Sequence, residues 1–265
     1  MRLIKKYLDM PNDSRSKTLV VALTLCLFCS VLVSTAAVAL KPRQDANKML
    51  DKKENILNIA GMMKPGASVE ELFKQIEPRV VDLQTGQFDN NIDPEKYDQR
   101  KAARDPAESI ALPKDEDIAS IRRRARYATV YLVHDKAGKL ETMILPVHGY
   151  GLWSTMYGFV ALAGDGQTIK GLGFYEQGET PGLGGEVDNP AWKAKWIGKK
   201  VYNKQGKVAI ELVKGGVGPA TPNLQYKVDA LAGASLTSRG VQNLLHYWLG
   251  EQGFEPFIEH IVHKG

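Results

Sequence analysis

Cysteine is almost absent from this 265-residue sequence, which has only Cys26 and Cys29, both inside an apolar stretch near the N-terminus. The chain after Leu40 therefore has no disulfide framework, no thiolate metal site and no cysteine nucleophile. Because a protein on either side of a membrane can have this cysteine content, it does not decide the compartment.

The short signatures of common enzymes are also missing. The sequence has no Gly-x-Ser-x-Gly elbow, no His-Glu-x-x-His motif and no P-loop, and no Gly-x-Gly-x-x-Gly dinucleotide fingerprint follows a predicted strand. His148 lies among turn-forming residues without an acidic neighbour, so we expect a structural role for it. His260 and His263 are spaced for one helix face, but we expect them in a frayed C-terminal tail. No metal site is predicted.

Positive and negative side chains nearly balance over most of the chain. The formal net charge is +5, yet residues 41–265 hold 30 Lys and Arg against 28 Asp and Glu. The densest basic cluster lies in a stretch with helical periodicity and comprises Arg122, Arg123, Arg124 and Arg126. We expect it to form a solvated helix face, which argues against a nucleic-acid partner.

The sequence does contain one long apolar run, Thr18 to Leu40, without a charged side chain. As a helix this run would extend for about 35 Å, enough to cross a hydrocarbon core of roughly 30 Å. Ala37-Val38-Ala39 resembles a signal-peptide cleavage site, but the run is long and is followed by Lys41 and Arg43. We therefore predict an uncleaved transmembrane helix over residues 18–40. The basic residues ahead of it favour a cytoplasmic N-terminus, residues 1–17.

Residues 41–125 alternate short predicted elements with polar sequence. The predicted elements are a helix over Leu50–Ile59, a break at Pro65-Gly66, a helix over Ser68–Ile76 capped by Ser68, and a strand over Arg79–Leu83. Residues 89–117 are polar, with partial helix near residues 97–103. We interpret residues 41–125 as a helical stalk and polar surface region.

Residues 126–265 have the alternation of a β-rich domain. Strands are predicted at 129–133, 143–147, 159–163, 171–175 and 208–213, with glycine-containing turns between them. A helix over Ser238–Leu249 has one apolar face and stops at Gly250. The fold class is therefore α+β, with a single N-terminal transmembrane helix followed by a mainly antiparallel sheet with flanking helices.

Two glycine-rich segments are candidates for ligand binding. Glu176 to Glu186 has four glycines that would let the backbone approach a planar ligand, although a plain loop has the same composition. Asp229 to Ser238 opens directly onto the last predicted helix. Its hydroxyl groups could cap that helix, or the free N–H groups at the helix start could hold a phosphate. The residues alone leave both alternatives open.

Together and in this order behind one membrane span, these segments resemble the FMN-binding domain family of the C subunits of Na+-translocating NADH:quinone oxidoreductases. They resemble the G subunits of Rnf electron-transport complexes more distantly. The resemblance covers the anchor and residues 97–103, 145–153, 175–192 and 229–250. The family motif Asp-x-x-Ser/Thr-Gly-Ala-Thr is modified by a flavin transferase, which joins FMN through its phosphate to the final hydroxyl. Here the motif is Asp229-x-x-Ala232-Gly233-Ala234-Ser235.

The resemblance implies that Ser235 is the covalent FMN acceptor, through a phosphoester. Serine has the β-hydroxyl of the usual threonine without its methyl group. Thr237 is the nearest substitute acceptor, and tight noncovalent FMN is the remaining option. Trp153 is expected to pack against the isoalloxazine ring, and Asp229 is expected to serve motif recognition. The other implied cofactor-binding residues are Glu179, Thr180, Leu183, Gly184, Gly233, Ala234, Leu236 and Thr237.

The function implied is electron relay within a membrane NADH:quinone oxidoreductase, as one subunit whose flavin supplies the redox chemistry. Implied partners are the other subunits of the complex, the flavin transferase during maturation and the lipid bilayer. The implied location is the bacterial inner membrane, with the soluble domain on the periplasmic side. No complete NADH site is expected in this chain. Membership of the Rnf-type G subunits and a non-enzymatic membrane-anchored binding module are the alternatives.

Overall fold

The computed structural model describes Pro11, residues 14–64 and residues 66–264. The chain divides into two units, one up to Leu50 and one from Asp51 onwards. Most of the predicted cytoplasmic segment 1–17, Pro65 of the predicted Pro65-Gly66 break and the side chain of His263 lie outside the described residues.

A long helix, α1, spans Arg15–Ile59, and its larger part, up to Leu50, belongs to the first unit. Residues 18–40, the predicted span, are all helical and exposed. Within the described residues, this helix alone is long and apolar enough to cross a membrane. The described chain thus contains one N-terminal helix with the length and composition that a single-pass anchor requires.

Helix α1 is longer than the sequence pattern predicts. A separate helix over Leu50–Ile59 was expected, but the structure has one continuous helix that includes Pro42. A proline inside a helix removes one hydrogen bond and bends the helix without always ending it. The predicted apolar side is confirmed at Ile56 and Ile59, which are buried, whereas Leu50 is exposed.

The second unit contains the end of α1 and the remaining elements. Its helices are α2 (Val69–Phe73), α3 (Gln99–Ala102), α4 (Pro190–Ala194), α5 (Ser235–Trp248) and α6 (Glu255–Lys264). Its strands are β1 (Glu77–Asp82), β2 (Ser109–Ala111), β3 (Arg123–Ala125), β4 (Tyr127–His134), β5 (Leu140–Tyr150), β6 (Thr155–Ala163), β7 (Ile169–Glu176), β8 (Glu211–Val213) and β9 (Lys227–Asp229). Gly184–Asp188 and Leu224–Tyr226 are short 3₁₀ helices.

A five-stranded antiparallel sheet in the order β1-β4-β5-β6-β7 forms the centre of this unit. Strands β4 to β7 follow each other in sequence as hairpins, which confirms the predicted strands and turns. Edge strand β1 comes from the stalk region and places Glu77 opposite Leu132 and Asp82 opposite Tyr127. Strands β2 and β3 form a separate antiparallel pair, and β8 and β9 a parallel one.

The sheet has a hydrophobic core on each face, because successive side chains of a strand point to opposite sides. In β4, Val130 and Leu132 belong to the core that includes α5 and α6, whereas Tyr131 and Val133 belong to the other. The second core is closed by the last turns of α1 and by Leu72 of α2. Both faces are therefore buried, which explains the nearly continuous apolar sequence of the central strands.

The end of α1 packs directly on β7 at a glycine. A Cβ atom added to Gly171 would lie 2.5 Å from the carbonyl oxygen of Ile59. The side-chain amide of Asn55 also donates a hydrogen bond of 3.2 Å to the carbonyl of Phe174. Only glycine at position 171 lets the helix backbone approach the strand this closely.

The prediction of a solvated arginine helix was wrong. Arg123–Ala125 is strand β3, and Arg124 is buried, with its guanidinium hydrogen-bonded to the carbonyl of Gln252. Arg123 turns elsewhere and donates a hydrogen bond of 2.9 Å to the hydroxyl of Ser109. The strand sends neighbouring side chains in different directions, and the distant carbonyl that receives Arg124 cannot be recognised in the local sequence.

Three further predictions also differ from the structure. The C-terminal residues form helix α6 rather than a frayed tail, because Phe257 and Ile258 are buried against the sheet core. Ser68 precedes α2 as predicted, but its side chain makes no cap bond to the helix and contacts Glu70 instead. The strand predicted over 208–213 is confined to β8.

Candidate functional site

Glu179 is the centre of the polar contacts at the predicted site. It follows β7 by three residues and is only 5% exposed. Its carboxylate accepts hydrogen bonds from the backbone N–H groups of Leu152, Trp153 and Ser154 at 3.0–3.2 Å. The loop between β5 and β6 is therefore folded around this carboxylate.

Thr237 connects Glu179 to the first turn of α5. Its hydroxyl donates a 2.6 Å hydrogen bond to Glu179 Oε2, and the residue is 1% exposed. The two glycine-rich segments of the sequence thus meet through one side-chain contact, although 58 positions separate the residues.

These hydrogen bonds determine the ionisation of Glu179. Burial by itself would raise the pKa of the carboxyl group, because it disfavours the charged form. The bonds donated by Thr237 and by the N–H groups of Trp153, Leu152 and Ser154 outweigh burial and lower the pKa below its ordinary value. The side chain is therefore an ionised acceptor at neutral pH.

Gly184 closes this cluster and has no room for a side chain. An added Cβ atom would lie 2.5 Å from Thr237 Oγ1 and 2.9 Å from Glu179 Oε2. Thr180 forms the turn that precedes Gly184, since its carbonyl accepts bonds from the N–H groups of Leu183 and Gly185. The glycine-rich loop is thus shaped by contact with α5, which a plain surface loop would not need.

Helix α5 begins without a side-chain cap. Its N-cap residue is Ala234, and Ser238 turns its hydroxyl back to accept a bond of 2.9 Å from Leu231 N. Within the described chain, the N–H groups of Ser235, Leu236 and Thr237 have no backbone or side-chain acceptor. The hydroxyl-cap alternative is therefore wrong for this helix, and three donors remain unpaired at its positive end, two of them on the exposed residues Ser235 and Leu236.

The acceptor predicted for FMN is accessible at this helix start. Ser235 is exposed, as is Gly233, which has a φ of +74° and lies against the side chain of Leu183. Ala234 is buried between them. The motif therefore presents the hydroxyl of Ser235 to solvent and turns the hydroxyl of Thr237 inward.

Large apolar side chains around this cluster are exposed. Trp153 is 66% exposed, Leu236 52% and Leu183 44%, although each adjoins a residue of the buried contacts. Exposed aromatic and aliphatic side chains grouped at one place usually mark a binding surface. Their flat apolar area and the unpaired N–H donors fit the ring and the phosphate of FMN.

Asp229 is held away from this surface. Its carboxylate forms a 2.5 Å contact with Lys195 Nζ and accepts a hydrogen bond from Val217 N, while its carbonyl accepts one from Trp192 Nε1 at 2.8 Å. Burial would raise its pKa, but the bonds from Lys195 and Val217 lower it overall. These contacts anchor the start of the motif.

His148 has the structural role predicted for it. Its ring stacks on Tyr157 with centroids 5.3 Å apart, and its carbonyl accepts a 2.7 Å bond from Trp248 Nε1. Burial, with a smaller effect of Arg100, lowers its pKa to about 4. The imidazole is therefore neutral at physiological pH.

Sequence reasoning did not single out Leu152 and Ser154. They hold Glu179 through backbone N–H groups, which every residue except proline carries, so no side-chain pattern marks them. The sequence signal was Gly151, where an added Cβ atom would lie 2.5 Å from Glu179 Oε1. A glycine within an otherwise extended apolar segment indicates such a close approach.

This chain is similar in sequence to a known protein family and to several known proteins. A family model described as an FMN-binding domain matches residues 151–250, which contain the whole cluster. Among the C subunits of Na(+)-translocating NADH-quinone reductases, the Pseudomonas aeruginosa protein is 58% identical over 94% of this chain and 97% of its own length. The chain belongs to this family of C subunits. The Vibrio alginolyticus protein of the same name is 52% identical over 93% of the chain and 95% of its length.

Solved structures support this family assignment. The crystal structure of Shewanella oneidensis NqrC matches with a TM-score of 0.75 and 39% identity, over 82% of this chain and 98% of that one. A crystal structure of one of the C subunits, from Parabacteroides distasonis, matches with a TM-score of 0.62 and 26% identity, over 83% and 96% respectively. The α+β fold with its antiparallel sheet is thus the fold of this family.

Proposed function

We propose that this chain is an electron-relay subunit of a membrane-bound, Na+-translocating NADH:quinone oxidoreductase, and that it carries FMN on Ser235. The observation that carries the proposal is the exposed hydroxyl of Ser235 at an uncapped helix start, together with the exposed indole of Trp153, whose backbone N–H binds the carboxylate that also holds Thr237. Bound FMN supplies the one-electron chemistry. The chain's own residues hold the cofactor in place.

The phosphate is held at the start of α5. The unpaired N–H groups of Ser235 and Leu236 would hold its oxygens, at a helix end whose dipole also favours negative charge. A phosphoester to Ser235 keeps the flavin attached in a compartment from which a dissociated cofactor would be lost. The side chain of Thr237 is engaged elsewhere, which supports Ser235 as the acceptor.

The ring is held by the exposed apolar side chains. Trp153 offers an aromatic face, and Leu183 and Leu236 offer aliphatic surface that water otherwise covers. Glu179 and Gly184 act behind this surface, since both are buried and fix the loops that carry it. Thr180, Gly233 and Ala234 shape the backbone, and Asp229 serves motif recognition by the flavin transferase.

The proposed arrangement in the cell follows from the anchor. Residues 1–17 lie in the cytoplasm, residues 18–40 cross the bacterial inner membrane, and the stalk and flavin domain lie in the periplasm. The neighbouring subunits of the complex supply and receive the electrons, and they contain the site for NADH. The relatives reported above carry the name of the quinone reductase, which favours this function over the Rnf-type alternative.

The attachment is tested by expressing the full chain with its flavin transferase and viewing a denaturing gel under ultraviolet light. The parent and Ser235→Thr chains are expected to fluoresce, and Ser235→Ala is expected to be dark. Thr237→Ala is the matched control and is expected to keep its fluorescence. A dark parent chain that also purifies colourless would exclude a flavin relay and leave a non-enzymatic, membrane-anchored binding module.

A further inference from the structure

Two residues with hydroxyl groups lie close together in the sequence of the motif, and they differ in their exposure to solvent. Ser235 and Thr237 both belong to the first turn of α5, but one is exposed and the other is 1% exposed. We propose that Glu179 is a positioning residue that selects the attachment site, because it holds the hydroxyl of Thr237 inside the fold and leaves only Ser235 for modification. The inference rests on the proposed function.

Helix geometry separates the two hydroxyl groups. Residues two positions apart project about 200° from each other around a helix axis. The Thr237 side chain therefore starts towards the interior when the Ser235 side chain faces solvent, and its contact with Glu179 keeps the hydroxyl there. An ionised carboxylate can only accept hydrogen bonds, so the Thr237 hydroxyl must be the donor in its 2.6 Å contact with Glu179.

Glu179 is itself fixed, so it cannot swing outward with Thr237. Three backbone N–H groups of the loop 152–154 bind its carboxylate. Gly184 packs against both partners, with so little space that a Cβ atom would lie 2.5 Å from the Thr237 hydroxyl. A hydrogen bond to a charged group favours the bound position of the Thr237 hydroxyl over unbound positions by a factor of about 10 to 100 in population.

Modification requires an exposed hydroxyl because a bulky donor must reach it. A flavin dinucleotide is a donor of suitable class, since its FMN phosphate is part of a phosphoanhydride. The serine oxygen forms a bond to that phosphorus while the anhydride P–O bond breaks. The nucleoside monophosphate leaves with the electron pair, and the hydroxyl proton passes to a base of the transferase. No oxidation or reduction occurs.

The experiment maps the flavin by peptide mass spectrometry in four full-length chains made with the transferase. These are the parent, Ser235→Ala, the double variant Ser235→Ala/Glu179→Gln, and Ser235→Ala/Asp165→Asn. Asp165 is the matched control, because its carboxylate also accepts bonds from two backbone N–H groups and from a threonine hydroxyl, Thr168, in the turn between β6 and β7.

The expected result is flavin on Ser235 in the parent and none in Ser235→Ala. In the double variant with Glu179→Gln, flavin should appear on Thr237 at about tenfold or more above the detection limit that bounds Ser235→Ala, as the charge-assisted bond is lost. The Asp165→Asn control should stay unlabelled. A structural loss of fold would reduce labelling everywhere and would not move it to Thr237.

Other outcomes overturn the inference in distinguishable ways. Flavin on Thr237 in Ser235→Ala alone, or no flavin on Thr237 in the Glu179→Gln double variant, would show that Glu179 does not govern the choice. An unlabelled parent would overturn the proposed attachment and this inference together. Hydrogen exchange gives a flavin-independent check: the amides of residues 152–154 should exchange faster in Glu179→Gln, and unchanged exchange would contradict the positioning role.

Discussion

Single residues at the site separate into those that are buried and build the fold and those that are exposed on the surface where we propose that FMN binds. Glu179, Gly184 and Thr237 are buried and bind one another or the loops, whereas Trp153, Leu183 and Ser235 are exposed. The family motif identifies both groups without distinguishing them. Substitutions in the first group should therefore affect stability, and substitutions in the second should affect the flavin.

Gly184→Ala should destabilise the second unit. The new methyl group would overlap the buried Thr237 hydroxyl and the Glu179 side chain, and overpacking of this kind costs about 1–3 kcal/mol. Urea unfolding followed by circular dichroism measures the change. Gly218→Ala is the matched control, because an added Cβ atom there has no neighbour within 4 Å, and it should change stability by less than about 0.5 kcal/mol.

Trp153→Ala should leave stability nearly unchanged, because the side chain is 66% exposed, but it should alter the flavin. If the indole packs on the ring as we propose, its removal should increase flavin fluorescence and shift the absorption bands of the attached cofactor. Ile197→Ala, which removes a side chain that is 62% exposed, is the control and should change neither signal. Identical spectra for Trp153→Ala and the parent would exclude contact between Trp153 and the ring.

The pH dependence of stability should include a contribution from His148. Its pKa is lowered from 6.5 to about 4, so the folded state binds fewer protons than the unfolded state between these values. The stabilisation is complete above pH 6.5 and is lost as the pH falls towards 4, by up to about 3 kcal/mol. Urea unfolding at pH 7.5, 5.5 and 4.5 should show this loss. His148→Phe should reduce it, because the variant has no imidazole to protonate at this position.

At the scale of elements, the sequence predicts the antiparallel hairpins well because β4 to β7 alternate regularly and end at glycine turns. It does not predict β3, because the arginines there imitate a helical charge pattern while the contacts that decide the matter come from the turn after α5. The same reason explains why the loop 152–154 was missed. Contacts made by backbone groups, or with distant carbonyls, leave little trace in the local sequence.

Arg124→Ala should destabilise the second unit by about 2–4 kcal/mol. It removes a buried guanidinium and leaves the carbonyl of Gln252 without that donor. Arg126→Ala, at an exposed position of the same cluster, should cost less than about 0.5 kcal/mol. Thermal unfolding of the two variants measures the difference. Equal effects would restore the interpretation of the cluster as one solvated face.

At the scale of the whole molecule, the anchor should remain part of the mature chain. Mass spectrometry of the membrane-extracted protein is expected to find the residues before Ala37-Val38-Ala39, and alkaline carbonate should not release the protein from membranes. Protease added to intact spheroplasts should digest the domain from Asp51 onwards, because we place it in the periplasm. Protection in spheroplasts, with digestion only after lysis, would reverse the proposed orientation.

The missing side-chain cap of α5 has a consequence for maturation. A helix with Ala234 as its N-cap lacks a stabilising side-chain bond worth about 1 kcal/mol. The phosphate that we propose on Ser235 would supply acceptors for the same N–H groups, so the modification would complete the helix that the sequence leaves incomplete. Cofactor loading would then increase the resistance of this turn to local opening, and a protease that cleaves the open turn would distinguish finished subunits from unfinished ones before assembly.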